Sequence, residues 1–157
     1  MKLGLIADTH DNLTQIEKAV KLFNRKKVDL VLHAGDYVAP FSLNVFKKLS
    51  CDYVGVFGNN DGEVKGLTLK SKGRIKKAPR TLREAGRWIL LTHDINKINL
   101  GNRKYDLVVY GHSHEKAVEK KDGILFVNPG ECSGWLNGSS SVAVIDLDTM
   151  NVTFFGL

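Results

Sequence analysis

Three short apolar runs open the chain, residues 2–7, 29–33 and 53–57, and two stretches with helical spacing separate them. The runs are continuous and rich in Val, Ile and Leu, as strands buried on both faces are. In the first intervening stretch Leu13, Ile16, Val20 and Phe23 repeat at helical spacing, with Asn12 at the cap position and Gln15 where a capping-box partner stands. In the second, Pro40 is suited to open a helix whose apolar face would be Phe41, Val45, Phe46 and Leu49. Strands that alternate with helices pair in parallel, because only a long crossover returns the chain in the same direction. The remainder of the chain has to be built around this β-α-β-α-β start.

The second half reads mostly as strand, with runs at 88–92, 106–110, 124–127, 141–146 and 152–155. Gly86, Asp122-Gly123 and residues 148–151 carry hairpin-turn chemistry. Residues 62–79 are the least regular part, expected as a mobile flap or as the home of a short helix. There is no internal repeat, low-complexity segment or linker, and 157 residues suit a single domain, 1–157, with its own core. The 43% hydrophobic and 25% charged content reads as a soluble globular chain. No apolar run is long enough to span a bilayer, and the N-terminal run meets Asp8 too early for a signal peptide. The expected location is therefore cytoplasmic, with no membrane partner. Cys51 and Cys132 have no paired spacing, which argues against a disulfide framework or a zinc knuckle.

The formal net charge is +6, and basic residues crowd one segment: Lys65, Lys70, Lys72, Arg74, Lys76, Lys77, Arg80, Arg83 and Arg87, against Glu84 alone. Such a run is a solvated face or an anion-attracting rim. No aromatic residue interleaves it before Trp88, which weakens a base-stacking role. Nucleic-acid binding would rest on this segment alone and is left open.

The chemistry sits where the strands end. Asp8 and His10 follow the first run, Asp36 the second and Asn59 the third, while His93 follows 88–92 and His112 and His114 follow 106–110. Open α/β sheets place their sites outside the carboxyl ends of parallel strands. Residues at i and i+2 of an extended loop share a side, so Asp8/His10 and His112/His114 each form a converging doublet. One such residue is ordinary turn chemistry; seven in the same topological position point to a metal centre. Four imidazoles, two carboxylates and an amide oxygen, with no thiolate, suit Mn, Fe, Co, Ni or Zn.

In this order, Asp8-Thr9-His10, Gly35-Asp36, Gly58-Asn59-Asn60-Asp61, Thr92-His93 and Gly111-His112-Ser113-His114 resemble the motifs of the calcineurin-like metallophosphoesterase superfamily. The short length and Asn128-Pro129-Gly130-Glu131-Cys132 make the chain most similar to that family's small single-domain phosphodiesterase branch in archaea and bacteria. The resemblance covers essentially the whole chain and implies an α/β fold, the four-layer αββα sandwich of the metallophosphoesterases. It also implies two divalent ions, with manganese expected first and nickel, cobalt, iron or zinc as alternatives. Asp8, His10 and His114 would hold one ion, Asn59, His93 and His112 the other, and Asp36 would bridge them.

The implied activity is phosphodiester hydrolysis by a hydroxide shared between the ions. Two divalent ions, two carboxylates and the hydroxide leave the site about one positive charge, matched to the single negative charge of a diester. Asn60 would turn its N–H donors to a phosphate oxygen. Asp61 would stand behind the ligands and orient an imidazole, and His33 would be buried or stand behind them too. Many relatives carry a histidine where this chain has Asn60, and that histidine protonates the leaving group. An amide does not act as an acid near neutral pH, so leaving groups that need no proton, such as nitrophenolate, are expected to serve best.

Asp94 replaces a residue that is often glycine in relatives; its carboxylate would lower the site's charge or point away. Asn128-Pro129-Gly130-Glu131-Cys132, Cys132 included, is expected as a packed loop beside the site. The short loop 94–103 suggests an open site that admits bulky diesters, nucleotide-derived ones among them, and the resemblance makes a homodimer an expectation. The competing functions are a phosphomonoesterase or nucleotidase using the same site, and a catalytically weak binding module of the same fold.

Overall fold

The structure, a computed structural model, describes residues 1–101 and 104–157; positions 102 and 103 of the loop 94–103 lie outside the described residues. The first half runs β1 (Lys2–Ile6), α1 (Leu13–Lys26), β2 (Leu30–His33), a 3-10 turn Pro40–Ser42 leading into α2 (Leu43–Phe46), β3 (Asp52–Val56), α3 (Val64–Lys70) and β4 (Ile75–Lys76). The second half runs β5 (Arg80–Glu84), β6 (Arg87–Leu91), a 3-10 turn Ile95–Lys97, β7 (Leu107–Val109), β8 (Lys116–Lys121), β9 (Ile124–Pro129), β10 (Ser141–Asp146) and β11 (Asn151–Gly156).

Two sheets result, ordered β11-β10-β1-β2-β3-β4 and β5-β6-β7-β9-β8. The expected parallel start is present: β1, β2 and β3 pair in parallel, and β4 adds a fourth parallel strand. In the second sheet β6, β7 and β9 are parallel, with β5 and β8 antiparallel at the edges. Alternation along the strands divides the apolar residues. Leu3, Leu5, Leu30, Leu32 and Val56 face Ile89, Leu91, Leu107, Val109 and Val127 across the gap between the sheets. On the other face, Ile6 and Val31 pack with Ile16, Val20 and Phe23 of α1, Phe46 of α2 and Leu67 of α3. Each fully buried aliphatic side chain contributes about 1.5–3 kcal/mol.

The order of layers is helices, sheet, sheet and a crossover. The parallel connection from β6 to β7 must cross one face of its sheet, and the inner face is already filled. The fourth layer is therefore the segment containing the turn Ile95–Lys97, a thin version of the outer helical layer of an αββα sandwich.

Local chemistry accounts for most boundaries. Asn12 Oδ1 accepts the Gln15 N–H at 3.3 Å, capping α1. The reciprocal half of a capping box is missing, since Gln15 Oε1 has no partner among the described residues. The helix expected from Pro40 is only one turn of 3-10 plus four α residues. Its buried side is Leu43, Val45 and Phe46, while Phe41 is 51% exposed. The three expected hairpin turns are present, at Ala85-Gly86, at Asp122-Gly123 and between β10 and β11. Residues 62–79, expected as a mobile flap or the home of a short helix, hold the short helix α3 and the strand β4. Strands β5 and β8 were not expected from the sequence: both are polar edge strands, and β8 is exposed along most of its length. No helix is long and apolar enough to cross a membrane among the described residues.

Candidate metal centre

The parallel strands β1, β2, β3, β6 and β7 all end at one edge of the sandwich, and backbone hydrogen bonds lace their loops together. Asp8 N donates to Gly35 O, Thr9 N and His10 N both donate to Asp36 O, and Gly111 N donates to His93 O. The loop after β9 joins them, with Cys132 N on Ala7 O and Ser133 N on Asp8 O. Close approach is possible because Gly58 follows β3: a Cβ there would meet Asp36 Oδ1. The loops are bent hard. Asp8, His10, Asp36, His112 and His114 have φ of 52°, 37°, 62°, 71° and 61°. Left-handed backbone costs a non-glycine residue about 1–2 kcal/mol, and such strain gathers at functional sites.

All seven expected ligand residues come to this edge. The ligating atoms of Asp8, His10, Asp36 and His114 lie within 4.8 Å of one another. His114 Nε2 is 3.6 Å from Asp8 Oδ1, and the His10 and His114 rings stack with centroids 5.2 Å apart. Asp36 Oδ2 lies 3.6 Å from His10 Nε2 on one side and 3.4 Å from His93 Nε2 on the other. Asn59 Oδ1 lies 2.8 Å from that same His93 Nε2. His112 is the outermost member, its ring set edge-on to His93 with centroids 5.1 Å apart and its Nε2 3.9 Å from Asp94 Oδ2.

These residues fit divalent cations. Asp8 Oδ1 and His10 Nε2 are buried with no hydrogen-bond partner among the described residues. Burial first, and the Asp36 carboxylate second, push the Asp8 pKa up to about 8, against the lowering effect of the His112 N–H. The second group of donors makes the same point. His93 Nδ1 lies 2.8 Å from Ala34 O, which only accepts, so Nδ1 carries the hydrogen. Burial lowers the His93 pKa and favours the neutral ring, whose Nε2 is then an acceptor. Asn59 Oδ1 and Asp36 Oδ2 are acceptors as well, so these three atoms could hold a cation.

Two other buried carboxylates behave differently, because backbone N–H groups saturate them. Asp61 accepts from Asp36 N, Tyr37 N, Val38 N and Gly58 N at 3.1, 2.7, 2.7 and 2.8 Å. The expectation that Asp61 orients an imidazole is thereby corrected: it orients the backbone of the Asp36 loop. Glu131 accepts from Ser133 Oγ at 2.6 Å and from Trp135 N, Leu136 N and Asn137 N at 2.7, 3.1 and 3.1 Å. Burial works to raise the Glu131 pKa, but these donors outweigh it and hold the carboxyl below its ordinary value. Its Oε2 is 3.6 Å from His114 Nδ1.

Asn60 also departs from expectation. Its backbone N–H donates to Asp36 Oδ1 at 2.9 Å and its side-chain N–H to Asp36 Oδ2 at 2.7 Å, so the amide faces the carboxylate, the strongest acceptor within reach. His33 is buried on the helical side of β2. Its Nδ1 accepts the Gly35 N–H at 3.1 Å, which leaves Nε2–H for Thr9 Oγ1, and Thr9 Oγ1 in turn donates to Asp36 O. Burial drives the His33 pKa well below its ordinary value, and Tyr37 stacks on the ring at 3.6 Å.

Asp94 caps the turn Ile95–Lys97 through Asn96 N and lies 3.3 Å from Lys97 Nζ. Burial acts upward on it, yet the Asn96 N–H, Lys97 and His112 together hold its carboxyl low. Cys132 is fully buried and burial pushes its thiol up, consistent with packing in the core. The basic segment does not close over the site as a block. Arg74 pairs with Asp52, Arg83 lies over Trp88, and Arg87 pairs with Asp106. Lys77 is the member that lines the cavity beside His93.

Thr9 and Glu131 stand in the sequence motifs without an evident role of their own, and Ser133 and Trp135 carry no such signal. Trp135 is 65% exposed, and its indole N–H donates to His10 O at 3.2 Å. The available signal was topological: β9 is parallel to β7, so the loop that follows it arrives at the same edge.

Residues 1–150 match the calcineurin-like phosphoesterase superfamily domain. The chain belongs to that superfamily. A phosphodiesterase of Methanocaldococcus jannaschii is 32% identical, with 94% of each sequence covered. The solved structure of an archaeal phosphodiesterase superposes with a TM-score of 0.93 at 33% identity, covering 100% of both chains. The zinc complex of Vps29 from Entamoeba histolytica has a TM-score of 0.72 at 18% identity, covering 99% of this chain and 91% of that one, a likeness of fold. Within the phosphoesterase superfamily, the strand-end cluster is the candidate seat of the divalent ions that the family employs.

Proposed function

We propose that the chain, acting as one catalytic domain over residues 1–157, is a metal-dependent phosphodiesterase. The observation that carries this reading is the shared carboxylate: Asp36 Oδ2 stands 3.6 Å from His10 Nε2 and 3.4 Å from His93 Nε2, between two sets of donors. Asp8, His10 and His114 would hold one divalent ion, Asn59, His93 and His112 a second, and Asp36 both. Manganese is the first choice for this imidazole, carboxylate and amide set, with nickel, cobalt, iron or zinc as alternatives. Two such ions, when bound, supply a hydroxide nucleophile at neutral pH and a positive charge that stabilises the phosphoryl transition state.

The chain's own residues fix the geometry. Asp61 grips the backbone of residues 36–38, Ala34 O orders His93, and Glu131 stands behind His114. With Asp36 engaged as a ligand, Asn60 would be free to turn its side-chain N–H from Asp36 Oδ2 to a phosphate oxygen. The 32% identical phosphodiesterase supports the diester as substrate.

The test is hydrolysis of a nitrophenyl phosphodiester and its matching monoester by metal-stripped protein with Mn, Ni, Co, Zn or Mg restored singly. Diester cleavage that requires restored metal and is lost in His112→Ala is expected. A preference for the monoester would assign a phosphomonoesterase, and no turnover with any metal in folded protein would point to a binding module.

A further inference from the structure

A cavity of about 300 Å³ opens beside the candidate metal centre, with Asn59 and His93 forming one wall. Three separate segments build the rest. Phe57 comes from the end of β3, Lys77 and Pro79 from the connection between β4 and β5, and Lys97 and Ile98 from the crossover after β6. The cavity is thus apolar on its sides, with the Lys77 and Lys97 ammonium groups and the Asp94 carboxylate as its charged points. Lys97 Nζ lies 3.3 Å from Asp94 Oδ2, whereas Lys77 is exposed and has no carboxylate partner among the described residues. Two ammonium groups against one carboxylate leave an excess of positive charge on this side of the site. Its volume is at the small end for ligand sites and is ample for one aromatic substituent of a diester.

We propose that this cavity receives one ester arm of the substrate, an aromatic ring carrying a further anionic group, and that Lys77 and Lys97 select for that charge. The inference rests on the phosphodiesterase reading. With the phosphoryl group beside Asn59 and His93, a flat ring covers the apolar surface of Phe57, Pro79 and Ile98, and its outer substituent meets the lysines. An alkyl arm leaves that surface bare and the lysines without an anionic partner.

The test uses metal-reconstituted protein and three 4-nitrophenyl phosphodiesters whose second arm is methyl, phenyl or 4-carboxyphenyl. All three release nitrophenolate, so differences in kcat/KM report the second arm. The expected order is methyl, phenyl, 4-carboxyphenyl, the last about threefold to tenfold above phenyl and less so at high salt. In Lys77→Met/Lys97→Met the carboxyphenyl-to-phenyl ratio falls to about one, and calorimetric affinity for (4-carboxybenzyl)methylphosphinate, which has no P–O–C bond to cleave, weakens by a similar factor. If all three esters are cleaved and that ratio is the same in wild type and double variant, the inference is overturned and the phosphodiesterase reading stands. If none is cleaved with any metal, both fall together.

Discussion

Asp61 holds Asp36 by its backbone: the Asp61 carboxylate accepts the Asp36 N–H at 3.1 Å together with those of Tyr37, Val38 and Gly58. A buried carboxylate with four donors fixes the loop that presents the shared ligand. In Asp61→Asn one oxygen becomes an NH2 group that faces N–H donors. Hydrogen bonds to charged groups are each worth about 1.5–3 kcal/mol, so a loss of about 3 kcal/mol is expected, or roughly 6–12 °C in Tm. Diester turnover should fall at least tenfold as Asp36 loses its aim. Thermal melts of the metal-free variant check the first part. A Tm within a degree of wild type would show that Asp61 does not secure the loop.

Asp8 gives the metal-free protein a defined pH dependence. Burial, then the neighbouring Asp36, raise its folded pKa from 3.8 to about 8. A raised carboxyl binds its proton more tightly folded than unfolded, so its contribution is complete below about pH 4 and is lost as pH rises to 8. Metal-stripped protein should therefore lose stability across that window, and Asp8→Asn should flatten the slope. Restored metal reverses the picture, because a ligand carboxylate must be deprotonated and metal affinity rises with pH. Denaturant titrations at several pH values, with and without metal, measure both slopes. Equal slopes for wild type and Asp8→Asn without metal would count against the assignment.

The parts legible in the sequence were those with a local physical signal. Buried parallel strands announce themselves as apolar runs, and the residues after β1, β2, β3, β6 and β7 point to one edge because metal-binding residue types recur where each run ends. The edge strands β5 and β8 lacked that signal: Lys116–Lys121 is mostly charged, and its Val118 is 53% exposed. Phe41 had the spacing of a core residue but lies outside the short α2. The role of Asp61 was not legible because its backbone donors at residues 36–38 lie more than twenty positions away, and spacing does not say which group a carboxylate meets. Glu131 was legible in part: the motif at 128–132 places its loop beside the site, but spacing does not show that its carboxylate collects the N–H groups of residues 135–137 and stands behind His114.

Asn60 places a limit on leaving groups. Its amide donates to Asp36 at 2.7 Å and has no proton to give a departing alkoxide near neutral pH. Nitrophenyl diesters should therefore be cleaved well ahead of alkyl diesters, and Asn60→His should narrow the gap by about 10²-fold, the scale of general acid catalysis. The rate of Asn60→His on alkyl esters should also show a new dependence on an ionisation near pH 6–7. Alkyl and nitrophenyl esters cleaved at equal rates by the wild type would mean that another group supplies the proton.

Glu131 links the last loop to the cluster. It collects Ser133 Oγ, Trp135 N, Leu136 N and Asn137 N, and its Oε2 stands 3.6 Å from His114 Nδ1. In Glu131→Gln an NH2 group meets N–H donors, the turn at 133–137 loosens, and His114 loses the negative charge behind its ring. Partners of this kind are worth about 10–100-fold in metal affinity, so the midpoint of a metal titration should move by that factor. Trp135 offers the readout, since its indole N–H is tied to His10 O at 3.2 Å and its fluorescence should follow the loop. A merely structural role would lower the Tm and leave the metal midpoint of the folded variant where it was. A shifted midpoint in protein still fully folded at the assay temperature is the result that assigns Glu131 to positioning His114.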